Sequence, residues 1–335
     1  MDYRVLGKTG LQVSRMGFGG LPIQRADENA CREILVKLAD LGVNYIDTAR
    51  GYTVSEGYIG KALAGMRDKF ILATKSMAKD KASMERDIEI SLQNLQTDYI
   101  DLYQIHNPNR EGYEQIIAPG GALEALLEAK AAGKIGHIGF TNHYAEMIEL
   151  VLQEDWVETV MFPYNIVETQ GEKLLRLCKE KNVGFIAMKP LAGGALEDAK
   201  LAMRFICANP DVTVVIPGMY SPAEVTENVA AAEDTTPLTD AEQEKLRTIR
   251  NELGSNFCRR CNYCAPCTVG ISIPSVFLFE GYLSRYNLEG WARERYATLN
   301  VKAGACIGCG VCETRCPYHL PIRQMLKKSA EEFGE

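Results

Sequence analysis

From Arg15 to about Gly218, short β-branched and apolar runs alternate with longer stretches whose apolar positions recur at helical spacing. The runs predict strands ending near Gly17, Asp47, Lys75, His106, Phe140, Phe162, Lys189 and Pro217. Successive ends lie roughly 22 to 34 residues apart, close to one strand-helix unit each. Between them, the periodicity predicts helices over 27–41, 84–95, 121–132, 171–181 and 195–208. Eight such units in succession predict a closed (β/α)8 barrel. Ahead of it, Arg4 to Val13 reads as a hairpin turning between Gly7 and Gly10. Beyond it, Thr239 and Glu242 form a capping box for an amphipathic helix to about Leu253. The expected organisation is a barrel over 1–235, a connecting helix over 236–256 and a second domain over 257–335.

With 335 residues, 46% of them hydrophobic, the chain can bury one large core and one small one. Its start, MDYRVLGKTG, lacks a signal-peptide pattern, and no later run is long and apolar enough to span a membrane, so a cytoplasmic protein with no membrane partner is expected. A net charge of −7 argues against nucleic acid as a partner. That charge is uneven. From Asn256 onward there are ten Lys or Arg against seven Glu, a net +3, which leaves −10 for the rest.

Cysteine is unevenly spread as well. Of the eleven, eight lie between Cys258 and Cys316, while Cys31, Cys178 and Cys207 sit in helix-like apolar contexts and read as small core side chains. A reducing compartment disfavours disulfides for the eight, which leaves metal binding. The first group is Cys258, Cys261, Cys264 and Cys267, in CRRCNYCAPC. The second is Cys306, Cys309, Cys312 and Cys316, in CIGCGVCETRCP, and it resembles the ferredoxin pattern in which three closely spaced thiolates wrap one 4Fe-4S cubane and the fourth reaches another.

That pattern implies two 4Fe-4S clusters. Cys258, Cys261 and Cys264 would pair with Cys316, and Cys306, Cys309 and Cys312 with Cys267. The first group ends C-x2-C and not C-x3-C-P, which leaves this exchange of fourth ligands open. Structural zinc is the rival, but zinc thiolates usually come as separated CxxC pairs. A cubane with four thiolates is net negative, so the +3 segment has a candidate purpose; a solvated basic surface is the alternative. Between the groups, SVFLFEGYL and EGWARERY read as helical, giving a small, mainly helical, ferredoxin-like domain.

Catalytic groups of a (β/α)8 barrel lie at the C-terminal ends of its strands. Here those ends carry Asp47, Lys75 and His106, with Tyr52 on the loop after strand two. Singly, each has a commonplace reading as a cap, a solvated cation or packing. Together they form a chemical unit. Tyrosine, with a reference pKa of about 10, is a poor acid at neutral pH unless nearby positive charge favours its phenolate. Lys75 can supply that charge, Asp47 can hold the lysine, and His106 can orient a carbonyl.

NYIDTARGY, FILATKS, DLYQIH and GKIGHIGFTN resemble, in order and spacing, the signatures of the aldo-keto reductases, over about residues 1 to 235. The resemblance implies hydride transfer between NAD(P)H and a carbonyl or alcohol substrate, with Tyr52 as general acid/base and Asp47, Lys75 and His106 completing a tetrad. It also implies that Asn142 binds the nicotinamide carboxamide and that Gly19, Pro190, Leu191, Gly194 and Asn228 line the cofactor's path. Lys189 would contact the pyrophosphate or be solvated.

Three positions depart from the family. Met161 and Met188 stand where a Gln and an aromatic ring are common, and Glu224 stands where an Arg commonly grips the 2′-phosphate of NADPH. A carboxylate repels phosphate and accepts from a ribose hydroxyl, so the reading leans towards NADH, with Glu224 pointing into water as the alternative. Arg50, between Asp47 and Tyr52, would select an anionic substrate if it pointed inward. The segment Asn107 to Gly120 reads as a long substrate-side loop. His137 and His143 have no evident partner, and His319 lies close to Cys316.

A second reading makes the chain an iron-sulfur electron-transfer protein, coupling the barrel to a ferredoxin-like or flavoprotein partner. It answers a difficulty of the first. Nicotinamide moves two electrons as hydride, clusters move one at a time, and no flavin site is evident between them.

Overall fold

The computed structural model describes residues 1–254 and 256–335; the predicted connecting segment 236–256 contains Ser255, which lies outside the described residues. The chain divides into two compact units. The first comprises 1–165, 169–190 and 198–237, and the second 166–168, 191–197 and 238–335.

The first unit opens with an antiparallel hairpin, β1 (Tyr3–Val5) and β2 (Gln12–Ser14). Eight parallel strands follow: β3 (Phe18–Gly19), β4 (Tyr45–Asp47), β5 (Ile71–Ser76), β6 (Ile100–His106), β7 (Ile135–Thr141), β8 (Thr159–Pro163), β9 (Gly184–Met188) and β10 (Val214–Ile216). They pair in chain order, and parallel bridges from Met16 to Val215 and from Gly19 to Gly218 join the first strand to the last. The predicted (β/α)8 barrel is therefore present. Strands β4 and β6 end at Asp47 and His106 as predicted, and the other strand ends fall within two residues of the prediction.

Helices α1 (Glu28–Asp40), α2 (Ser55–Ala62), α3 (Lys81–Leu95), α4 (Arg110–Ile117), α5 (Ala122–Ala131), α6 (Ala145–Val151), α7 (Glu172–Glu180), α8 (Ala199–Ala208) and α9 (Pro222–Glu233) alternate with the strands. One apolar cluster lies between strands and helices. A smaller one fills the barrel with Tyr45, Ala73, Leu102, Met161, Ile186, Met188, Val214 and Ile216, joined by Leu6 and Val13 of the hairpin. Cys31 and Cys178 are buried core side chains, and Cys207 packs against the same core.

The segment read as a long loop after strand four contains α4. Asn109 caps it by accepting from Gly112 N at 2.8 Å, and Tyr113 and Ile116 bury one face. The Pro, Gly and Asn residues that suggested a loop serve as its approach and cap.

In the second unit, Thr239 and Glu242 form the expected capping box for α10 (Asp240–Gly254). Helices α11 (Ile273–Ser284), α12 (Glu289–Ala297), α13 (Val311–Arg315) and α14 (Ile322–Phe333) follow. Ile273, Val276, Phe277, Leu320, Ile322 and Leu326 share a core with Cys264, Cys312 and Cys316. Among the described residues no helix is long and apolar enough to cross a membrane.

Candidate functional site

Three of the four predicted catalytic residues are placed by strand ends. Asp47 closes β4, Lys75 is the last residue but one of β5, and His106 closes β6. Tyr52 lies on the loop between β4 and α2, whose backbone is tied down by Arg50 N donating to Lys75 O at 3.0 Å and Tyr52 N to Ala49 O at 3.0 Å.

The four side chains converge. Lys75 Nζ donates to Asp47 Oδ2 and, at 2.7 Å, to Thr48 O. The same ammonium stands 5.0 Å from the centre of the Tyr52 ring. The Tyr52 and His106 rings meet edge to face, with centroids 6.0 Å apart and planes at 86°. Asp47 and Lys75 are both about 2% exposed. Burial pushes the Asp47 carboxyl up and the Lys75 ammonium down, and the attraction between the two opposes both shifts.

Two further residues support this centre. Gln104 Nε2 donates to Asp47 Oδ1 at 3.0 Å, so both carboxylate oxygens are held. Its position two residues before His106 puts it on the same strand face, a parity that could have identified it from sequence. The other is Glu56, 1% exposed, which accepts from Thr74 Oγ1 and Ser91 Oγ at 2.8 Å, Arg50 Nη1 at 3.0 Å and Asn94 Nδ2 at 3.2 Å.

That network also holds Arg50, whose guanidinium is paired with Glu56 and lies 3.5 Å from Asp87, two carboxylates that offset its charge. His137 also has a partner, Glu158 Oε2 at 2.7 Å.

The predicted cofactor residues follow the strands closely. In the barrel unit, Gly19 ends β3 and donates its N–H to Pro217 O at 2.9 Å. Asn142, fully buried just after β7, donates Nδ2 to Pro108 O and accepts at Oδ1 from Tyr144 N. Each end of that amide keeps one further hydrogen-bonding capacity. Lys189 and Pro190 follow β9, the lysine with φ +57°. Asn228 is 6% exposed; its Nδ2 donates to Glu224 O, while its Oδ1 has no hydrogen-bond partner among the described residues. A buried acceptor kept open in this way fits a ligand that supplies a donor, such as an adenine amino group. Leu191 and Gly194 belong to the second unit.

Glu224 has a role that sequence reasoning did not weigh. It fastens the start of α9, accepting from Tyr220 N at 3.0 Å while the N-cap Ser221 Oγ accepts from Glu224 N.

In the second unit, Cys267, Cys306, Cys309 and Cys312 line one apolar cavity with Val269, Ile273, Ile307 and Leu326. Thr268 and Cys309 are joined by a hydrogen bond of 2.9 Å. Cys267 thus lines the same cavity as the second triplet. Burial pushes the Cys258 thiol up to about 11, with Cys261 and Cys316 adding to it and Arg260 opposing it. His319 is exposed.

Comparison with known proteins agrees with both units. A model of the aldo/keto reductase family matches residues 15–201, and a model of a 4Fe-4S dicluster domain matches residues 257–321. L-galactose dehydrogenase of Arabidopsis thaliana is 29% identical over 301 residues, covering 74% of this chain and 93% of that protein. Aldo-keto reductase YhdN of Bacillus subtilis is 32% identical over 216 residues, covering 58% of this chain and 64% of that protein. Among solved structures, the holo form of aldo-keto reductase AKR11C1 from Bacillus halodurans matches with a TM-score of 0.64 at 30% identity, covering 74% of this chain and 96% of that one. The chain therefore belongs to the aldo/keto reductase family of oxidoreductases and carries a 4Fe-4S domain after its barrel.

Proposed function

We propose that the chain reduces a carbonyl compound with a nicotinamide dinucleotide, or oxidises the corresponding alcohol, with Tyr52 as the group that gives or takes the proton. The observation that carries this reading is the convergence of the Lys75 ammonium and the His106 ring on Tyr52. When bound, the dinucleotide supplies or accepts the hydride. Tyr52 Oη delivers a proton to the carbonyl oxygen as hydride reaches the carbon, and recovers it in the reverse direction. Lys75 favours the phenolate so formed, Asp47 keeps that lysine charged, and His106 holds the carbonyl oxygen in place.

Asn142 would bind the carboxamide. Gly19, Lys189 and Pro190 in the barrel unit, Leu191 and Gly194 in the second unit, and Asn228 through its open acceptor would bind the rest of the dinucleotide. Glu224 places a carboxylate at the start of α9, which favours NADH over NADPH. Two 4Fe-4S clusters would be held by Cys258, Cys261, Cys264 with Cys316, and by Cys306, Cys309, Cys312 with Cys267. The exposed Cys309 and Ile307 beside the second site favour a second role, one-electron exchange with a partner protein.

The test is steady-state oxidation of NADH and NADPH by the cluster-loaded protein against a panel of neutral and anionic carbonyls, with alcohols, L-galactose included, assayed in reverse. Tyr52→Phe should lower kcat by at least about 100-fold, the scale of a positioned acid. Full activity in that variant would rule out the assigned proton donor.

A further inference from the structure

Loops after the last two strands of a (β/α)8 barrel are a recurrent place for phosphate groups. Here the loop after the seventh barrel strand, Leu191–Glu197, belongs to the cysteine-bearing unit. Its backbone turns through three successive left-handed residues, Ala192, Gly193 and Gly194, with φ of +48°, +68° and +83°. Such a run is disfavoured for an alanine and needs support from its surroundings.

The support comes from the C-terminal end of α11. Arg285 Nε donates to Gly193 O at 3.1 Å. The Tyr286 ring lies against Gly193 so closely that a Cβ there would stand 3.1 Å from the ring, and Gly194 faces the Arg285 backbone. Arg285 reaches the loop by folding back along its own helix over Gly281, where a Cβ would lie 2.2 Å from Nη2. Helix α11 is itself rooted through Ile273, Val276 and Phe277 in the core that contains Cys264, Cys312 and Cys316.

We propose that Arg285 is a positioning residue for dinucleotide binding: the iron-sulfur unit uses it as a clamp that holds Leu191–Glu197 in the shape that receives the pyrophosphate. The inference rests on the dinucleotide reading given above. Gly281 is then a functional glycine, since the room it leaves is occupied by the guanidinium.

The test measures dissociation constants for NADH and NADPH by quenching of protein fluorescence, on cluster-loaded full-length protein, for the wild type, Arg285→Ala and Gly281→Ala. Iron content is measured on every sample. Both variants should bind the dinucleotide about tenfold more weakly, the scale of one lost hydrogen bond from a charged donor. Steady-state kinetics should place the loss in the dinucleotide KM and not in kcat, a split that general loosening of the fold would not produce.

Gly281→Ala deletes no contact atom and displaces only the flexible end of Arg285, so it decides the matter if Arg285→Ala loses iron. A wild type that binds both dinucleotides, beside iron-replete variants of unchanged affinity, would overturn the clamp alone. A wild type that binds neither would overturn the dinucleotide reading, and the clamp with it.

Discussion

Asp47 is held by one charged and one neutral donor, and the neutral one is informative. Beside Lys75, Gln104 opposes the upward pull of burial on the Asp47 carboxyl, and the Asp47 carboxylate in turn favours the charged form of Lys75. Gln104→Leu should therefore lower kcat by about tenfold or more, since hydrogen bonds to charged groups contribute about 1.5–3 kcal/mol. With less positive charge beside Tyr52, its phenol should be harder to ionise, so the alkaline limb of the pH profile for carbonyl reduction should move to higher pH. An unmoved profile would mean that Gln104 only packs. Asp47, Lys75 and His106 were legible because each is a polar residue at the end of an apolar run. Gln104 was not singled out, being hidden inside such a run. The partners of Arg50 were not legible, because a sequence shows that a charge is present but not that Glu56 and Asp87 fold onto it.

The strands could be read from their apolar runs because barrel strands are buried on both faces and tolerate polar residues mainly at their ends. Helices α2, α4, α6 and α9 left weaker signals. Their short amphipathic stretches are set by caps such as Asn109 and Ser221 and by burial against the barrel, which appear only once the fold exists.

The hairpin depends on one glycine. Gly7 has φ +55°, and a Cβ on it would stand 2.2 Å from Gly184 N, a backbone atom that cannot move aside cheaply. Gly7→Ala should destabilise the fold by about 2–4 kcal/mol in urea unfolding; an unchanged midpoint would contradict the close approach. Just before β8, Glu158 accepts from His137, Lys130 and Ile138 N, and together these hold its carboxyl down at about 2 against burial. A depressed carboxyl stabilises the fold above its unfolded pKa, and that stabilisation is lost as pH falls from about 4.3 towards 2. The stability gap between wild type and Glu158→Gln should therefore be full at neutral pH and close over that window. A gap independent of pH would show that the ionised form is not what matters.

Across the whole molecule, the linear pattern marked a barrel followed by a cysteine-rich region but not where one compact unit ends. Segments 166–168 and 191–197 join the C-terminal unit because Arg259 donates to Val167 O at 3.0 Å, Arg260 pairs with the buried Glu168, and Arg285 holds Gly193. Residues about 92 positions apart cannot be paired from one sequence alone. The same arginines belong to the net-positive segment, so part of that charge serves contacts within the fold as well as any offset of the clusters. Hydride chemistry at Tyr52 needs no cluster, whereas an electron-transfer protein would use the clusters and leave the tetrad idle. The most direct test is single-turnover reduction of an accepted carbonyl by NADH deuterated at its transferable hydrogen, with cluster absorbance followed in the same cell. The account predicts deuterium on the former carbonyl carbon and unchanged cluster absorbance; bleached clusters with no deuterium in the product would contradict it.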